Sequence, residues 1–151
     1  MTDELSELLD TAMYKEIASQ AFYIAGQRKT QDQGAKALMK ELAEEELKHS
    51  QFLKDIKEKR LDKSSWRRDE VPNLRISEYL TGGETLEGAG LQDTLIFAMK
   101  REQQSIEFYS KLTFVMGDDK SRWMCERLVH EELRHKLRLE TFYDDFFLGE
   151  N

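Results

Sequence analysis

The most constraining feature of this sequence is an internal repeat that needs no gap. The pattern Glu-Glu-Leu-Lys-His at 45–49 recurs as Glu-Glu-Leu-Arg-His at 131–135, an offset of 86 residues. The same offset aligns many apolar and polar positions elsewhere: Leu9 with Leu95, Ala12 with Ala98, Glu16 with Glu102, Ser19 with Ser105, Phe22 with Phe108, Tyr23 with Tyr109, Leu42 with Leu128 and Leu53 with Leu139. The chain is therefore expected to form two similar halves.

Each half has the periodicity of helices. Apolar residues recur at alternating steps of four and three, the spacing of one helix face, and the single proline, Pro72, permits long helices elsewhere. Thr30 with Gln33 forms a capping-box pattern before the second helix, and Asp118 is a good N-cap for the fourth. The pattern predicts four helices, at about residues 3–28, 31–59, 91–116 and 119–147.

The helical period is lost between the two halves, at residues 60–90, which hold Pro72 and four of the eight glycines. A helix of about 26 residues is about 39 Å long, and a connection of ~30 residues can span that length. We therefore expect a long crossover between two helical hairpins. This is an all-α, ferritin-like four-helix bundle, and 151 residues with 39% hydrophobic content fit one domain, 1–151.

Composition excludes several classes of function. A net charge of −7 argues against binding nucleic acid or an anionic membrane by charge. One cysteine rules out an internal disulfide and a four-thiolate metal site within this chain. The N-terminus lacks the basic start and apolar run of a signal peptide, and no ~18 apolar residues run together. We expect a soluble, cytoplasmic protein.

Six residues with metal-binding side chains lie on the faces that the apolar residues identify as inward. They are Glu16, Glu46, His49, Glu102, Glu132 and His135. A buried, unpaired carboxylate costs several kcal/mol, and no lysine or arginine lies on these faces. The four carboxylates must therefore be protonated, paired with cations or bound to metal. A metal-free network that shares protons is the alternative to a metal site.

The spacing of these residues favours metal. Glu at i and His at i+3 project from one helix face, and the second and fourth helices each carry this pair. Oxygen-rich sites with imidazole suit iron or manganese, and carboxylates can bridge two ions about 3.5–4 Å apart. The pattern predicts two metal ions per chain, bridged either by Glu46 and Glu132 or by Glu16 and Glu102.

Residues beside this ligand set have less certain roles. Tyr23 and Tyr109 lie two turns beyond Glu16 and Glu102 on the same faces. We expect each hydroxyl to hydrogen-bond a ligand carboxylate or to relay an electron or proton. The alternative is an ordinary core tyrosine whose hydroxyl is hydrogen-bonded elsewhere.

Three charged or polar residues are expected to lie away from the centre. Glu45 and Glu131 lie about 100° around the helix from the ligands. We expect them to be solvated, with support of the ligands from behind as the alternative. His130 falls off the inward face and is expected to be a surface histidine.

With these residues identified, the sequence resembles a rubrerythrin-type ferritin-like protein over essentially its whole length. The motifs that carry the resemblance are Glu16 with Phe22 and Tyr23, Glu46-Leu47-Lys48-His49, Glu102 with Phe108 and Tyr109, and Glu132-Leu133-Arg134-His135. The resemblance implies two iron ions that react with peroxide or dioxygen. Manganese at one or both positions is the alternative.

The chain departs from the rubrerythrin pattern in two places. These 151 residues hold one cysteine, not the four of a rubredoxin domain, so electrons are expected from an external donor protein such as a rubredoxin. Rubrerythrins also carry an extra, exchangeable glutamate one turn beyond the third-helix ligand, where this chain has Ser105. The resemblance implies a homodimeric oxidoreductase that protects against oxidative stress. The competing hypothesis is non-enzymatic iron binding or storage, or a ferroxidase in a larger assembly.

Overall fold

The computed structural model describes residues 4–60 and 90–149, which form four long helices. They are α1 (Glu4–Lys29), α2 (Gln33–Arg60), α3 (Leu91–Val115) and α4 (Asp119–Tyr143), and a π-helical segment, Asp144–Leu148, continues α4. The all-α class and the four-helix bundle are thus confirmed. The predicted crossover, 60–90, lies outside the described residues except at its two ends.

The helices pack as two hairpins, α1 against α2 and α3 against α4. Two apolar clusters, each with residues from all four helices, hold the hairpins together. The first includes Leu9, Leu53, Leu112 and Leu128, and the second includes Tyr23, Met39, Leu95 and Leu139. Along every helix, the predicted metal-binding residues lie between these two clusters, so they occupy the middle of the bundle.

The helix N-termini test the two capping predictions. The Asp118 carboxylate accepts the Ser121 N–H at 2.6 Å, so the predicted cap of α4 is confirmed. The capping box of α2 was wrong, because the Asp32 carboxylate accepts the Ala35 N–H at 2.8 Å instead. The Thr30 hydroxyl accepts the N–H of Asp32. A carboxylate nearer the helix start therefore replaces the hydroxyl as cap.

The length and polarity of these helices also bear on the membrane. Within residues 4–60 and 90–149, none of the helices combines the length and apolar composition that crossing a bilayer requires.

We expect Asp118→Ala to lower the free energy of unfolding by about 1 kcal/mol, because the first turn of α4 loses its side-chain acceptor. Urea unfolding of the metal-free protein measures this change. Asp119→Ala is the matched control, because Asp119 is the next residue and its side chain is exposed. Equal losses from both variants would mean that negative charge near the helix start, rather than the cap hydrogen bond, stabilises α4.

Candidate metal centre

The fold brings all six predicted ligands together, and each is almost fully buried. Helices α1 and α3 contribute one glutamate each, and α2 and α4 contribute a glutamate and a histidine each. Four of the ligands, Glu46, His49, Glu132 and His135, place one ligand atom each within 4.8 Å of one another. A group of this kind and spacing can hold a metal ion.

Glu46 and Glu132 form the middle of the cluster, because each faces both imidazoles. His49 Nδ1 lies 3.3 Å from Glu46 Oε1 and 3.0 Å from Glu132 Oε1. His135 Nδ1 lies 3.3 Å from Glu46 Oε1 and 3.4 Å from Glu132 Oε1. The two rings are nearly parallel, with centroids 5.4 Å apart. Both Nδ1 atoms therefore point at the same pair of carboxylates.

Glu16 and Glu102 lie on the two outer sides. Glu16 Oε2 is 3.7 Å from His49 Nδ1, and Glu102 Oε2 is 3.0 Å from His135 Nδ1. Each hairpin therefore pairs its outer glutamate with its own histidine. The result is two similar half-sites that share the central carboxylates.

Although several atoms in this cluster lie close to one another, some of them are buried and form no hydrogen bond with any described residue. They are Glu16 Oε2, both carboxylate oxygens of Glu46 and of Glu132, and both ring nitrogens of His49. Orphaned polar atoms of this kind are rare in protein interiors because each one costs free energy. Their chemistry fits a divalent cation, which would satisfy carboxylate oxygens and imidazole nitrogens together.

The pKa values in the cluster shift in directions that burial and neighbouring charges explain. Burial raises the pKa values of Glu16, Glu102 and Glu132, and nearby carboxylates raise them further. Burial acts on Glu46 in the same direction, but its contacts with the two histidines outweigh burial and lower its pKa. Contacts with the histidines therefore favour the ionised form of Glu46, whereas burial favours the protonated forms of the other three carboxyl groups.

The two histidines show the complementary effect. Burial alone would lower both imidazole pKa values, but the surrounding carboxylates outweigh it and raise them. The surrounding carboxylates therefore favour the protonated form of both imidazoles.

Both tyrosines hydrogen-bond the outer glutamates, and they do so across the two hairpins. The Tyr23 hydroxyl of α1 donates to Glu102 Oε2 at 3.1 Å, and the Tyr109 hydroxyl of α3 donates to Glu16 Oε1. Burial and the neighbouring carboxylates raise the pKa of both phenols, so they stay protonated as donors. The structure therefore shows the first of the expected roles, a hydrogen bond from each tyrosine to a carboxylate of the cluster.

The expectation that Glu45 and Glu131 are solvated was wrong. Both are half-buried, and they contact the far ring nitrogen of the histidine on the opposite helix. Glu45 Oε1 lies 3.2 Å from His135 Nε2, and Glu131 Oε1 lies 3.6 Å from His49 Nε2. At this point in the bundle, α2 and α4 face each other, so a residue 100° from the ligand direction meets the neighbouring helix. His130, in contrast, is exposed as predicted.

Lys15 is a residue near the centre that sequence reasoning missed. Its side chain is 2% exposed, and it precedes Glu16. Burial and then the positive charge of Arg101 lower its pKa, while Glu16 and other site carboxylates oppose that shift. Arg101, its repeat counterpart, donates to Ser19 Oγ at 3.3 Å. The available signal was the basic residue that precedes both outer glutamates.

One side of the centre borders a groove between α2 and α4 of about 420 Å³. Its lining residues are Glu41, Glu44, Glu45, Lys48, His49, Arg127 and Glu131. Because His49 belongs to both the cluster and the groove wall, the centre approaches solvent on the His49 side.

A four-helix bundle with this carboxylate and histidine cluster defines the class of ferritin-like carboxylate proteins. The rubrerythrin family model matches residues 7–143. The chain therefore belongs to the rubrerythrin family. No curated protein matches it.

Solved structures share the fold at low sequence identity. A hypothetical protein from Pyrococcus furiosus is 23% identical, with a TM-score of 0.71, and the alignment covers 97% of this chain and 92% of that one. A protein from Thermotoga maritima, described as ferritin-like and diiron-carboxylate, is 18% identical, with a TM-score of 0.69 and coverage of 93% and 95%.

A two-domain protein from Anabaena variabilis, with DJ-1/ThiJ/PfpI-like and ferritin-like domains, is also similar. It is 16% identical, with a TM-score of 0.69. The alignment covers 97% of this chain but 38% of that protein. At these identities the likeness shows the fold alone.

The pKa shifts predict that the metal-free protein loses stability as pH rises from about 5 to about 8. In the folded protein, Glu16, Glu102 and Glu132 have pKa values above the ordinary value of 4.5. The stability that they contribute is therefore fully present below pH 4.5 and is lost as the pH rises through the folded pKa values. The pKa values of His49 and His135 are also raised, so the stability that they contribute is lost as the pH rises above 6.5.

Glu46, with its lowered pKa, contributes stability that is present above 4.5 and lost only as pH falls. Thermal melts of chelator-treated protein across this range measure the net effect. A melting temperature that stayed constant or rose between pH 5 and 8 would contradict the assigned directions.

Proposed function

We propose that this protein is a di-iron carboxylate oxidoreductase that reduces hydrogen peroxide or dioxygen with electrons from an external donor. The observation that carries the proposal is the buried set of six ligands, arranged as two half-sites with orphaned ligand atoms, in a chain of the rubrerythrin family. Burial of four carboxylates is costly, and two divalent ions would compensate that cost.

We assign one metal position to Glu16 and His49 and the other to Glu102 and His135, and we assign the bridges to Glu46 and Glu132. The choice of bridges follows from geometry. Glu46 and Glu132 each face both histidines, whereas the contacts given above place Glu16 beside His49 and Glu102 beside His135. Iron at these positions would supply the electrons that cleave an O–O bond, and manganese at one or both positions is the alternative.

The chain's own residues would prepare the site for this chemistry. Tyr23 and Tyr109 hold the outer carboxylates by hydrogen bonds from the opposite hairpin, which limits their rotation. Ser19 and Ser105, one turn beyond Glu16 and Glu102, are small and buried, and we propose that their size leaves room for peroxide or dioxygen. The apolar clusters on both sides exclude bulk water and strengthen electrostatic interactions inside.

Electrons would come from a separate donor. The chain contains one cysteine, Cys125, and burial raises the pKa of its thiol to about 12. It is therefore a poor redox partner. We propose an external donor protein such as a rubredoxin, a homodimeric assembly, and a cytoplasmic role in protection against oxidative stress.

A second candidate function is iron binding or storage, with ferroxidase activity in a larger assembly. The groove favours it, because Glu44 and the other acidic lining residues could attract Fe²⁺ on the side where His49 borders solvent. Light scattering separates the two functions, since storage needs a closed shell of many subunits and a scavenger can work as a dimer.

The assignment predicts two metal ions per chain in wild-type protein. Glu46→Ala and Glu132→Ala should each reduce the metal content strongly, because each removes a carboxylate that faces both histidines. Elemental analysis of protein reconstituted with Fe²⁺ measures the content. The matched controls are His130→Ala and Glu58→Ala, which remove exposed side chains of α4 and α2.

Two results would contradict the metal assignment. One is a single zinc ion at a surface site in wild-type protein. The other is an equal loss of metal from His130→Ala and His135→Ala, which would show that the inward face of α4 had been misassigned.

Stopped-flow mixing of the reduced, iron-loaded protein tests the reaction itself. We expect hydrogen peroxide or dioxygen to oxidise the centre with two electrons transferred per pair of irons, and the faster oxidant identifies the substrate. His135→Ala should slow this phase, whereas His130→Ala should leave it unchanged. No oxidation by either reagent in iron-loaded protein would reject the oxidoreductase and leave iron binding as the function.

A further inference from the structure

Glu45 and Arg138 form a chain of contacts behind His135. Glu45 Oε1 lies 3.2 Å from His135 Nε2, and Arg138 Nη1 donates to Glu45 Oε2 at 3.3 Å. Arg138 also binds Glu41, one turn earlier on α2. His135 is 1% exposed, and its other ring nitrogen faces the centre. The imidazole is thus held from both sides.

The chemistry of a metal-bound histidine requires a partner at this far nitrogen. When Nδ1 binds a cation, the ring proton must be on Nε2. A buried N–H without an acceptor carries the full desolvation penalty. Glu45 supplies the acceptor, and a carboxylate in this position fixes the tautomer and ring orientation and makes the imidazole a better ligand.

The repeat provides an internal comparison in which the second histidine is held less firmly. Glu131 lies 3.6 Å from His49 Nε2, beyond hydrogen-bond distance, and that nitrogen has no hydrogen-bond partner in the described parts of the chain. Arg127 is 3.8 Å from Glu131. The position that corresponds to Arg138 is Phe52, so Glu131 has the more distant Arg127 of its own helix in place of a guanidinium from the facing helix. His49 also borders the groove.

We propose that Glu45 is a positioning residue that fixes His135, that Arg138 acts through Glu45, and that the half-site of His135 therefore holds its metal more tightly than the half-site of His49. This inference rests on the proposed metal centre. It differs from the two-fold equivalence that the repeat alone would predict for the two half-sites.

Titration of metal-free protein with Co²⁺, followed by d–d absorption against a competing chelator, tests the proposal. Wild-type protein should bind two Co²⁺ ions in two steps of different affinity. Glu45→Ala should weaken the tighter step by about 10–100-fold. Glu45→Gln should restore most of that loss, because its amide oxygen can still accept the His135 N–H. Glu58→Ala, which removes the same charge from an exposed position on α2 away from the groove, should change neither step.

A double-mutant cycle tests whether Arg138 acts through Glu45. Arg138→Met should weaken the tighter step in the wild-type background and change it little in the Glu45→Ala background. Glu131→Ala should affect the weaker step by a smaller factor than Glu45→Ala affects the tighter one. A role in folding alone would give neither the non-additivity nor the rescue by glutamine.

The outcomes separate this inference from the proposed function. Two bound Co²⁺ ions with Glu45→Ala indistinguishable from Glu58→Ala would overturn the positioning role and leave the metal centre intact. Equal effects of Glu45→Ala and Glu131→Ala would overturn the inequality of the half-sites. Absence of Co²⁺ from the buried cluster of wild-type protein would overturn the metal centre and the inference together. Circular dichroism confirms that each variant is helical, and Arg138→Met provides the test if Glu45→Ala does not fold.

Discussion

The burial of four carboxylates and two imidazoles in the middle of a helical bundle is the constraint on which the rest of the structure depends. Each buried ion costs several kcal/mol even after relaxation, which is a large share of the roughly 5–15 kcal/mol that stabilises a typical protein. The two apolar clusters on either side supply the hydrophobic burial that tolerates this polar layer. The shared protons, the tyrosine hydroxyls and the proposed metal ions are ways of neutralising the same charge.

The cross-donation between the hairpins follows from that constraint. Tyr23 binds the outer glutamate of the second hairpin, and Tyr109 binds that of the first. The central carboxylates likewise face the histidines of both hairpins. Each hairpin therefore supplies polar partners for the carboxylates of the other, so the polar layer favours one relative position of the hairpins where apolar contacts alone would tolerate several.

The inward faces of all four helices could be predicted because the apolar period and the repeat agree on them, and the six clustered residues follow from those faces. The errors concern residues about 100° from that direction. Glu45 and Glu131 meet the neighbouring helix instead of solvent, and this depends on how closely two helices approach, which periodicity does not encode. The predicted cap of α2 was wrong for a different reason. Neighbouring polar residues compete for one helix start, and Asp32 caps it instead of Thr30.

The departures from the repeat are informative because the six clustered residues themselves obey it. If two metal positions have the same ligand types at equivalent positions, any difference between them must come from residues behind the ligands. Phe52 corresponds to Arg138, and Lys15 corresponds to Arg101. Because position 52 is a phenylalanine, it cannot give Glu131 the contact that the Arg138 guanidinium makes with Glu45. This is also the side on which the groove reaches His49. Functional inequality in this bundle therefore requires no change of ligand, only a change in what holds the ligand in place.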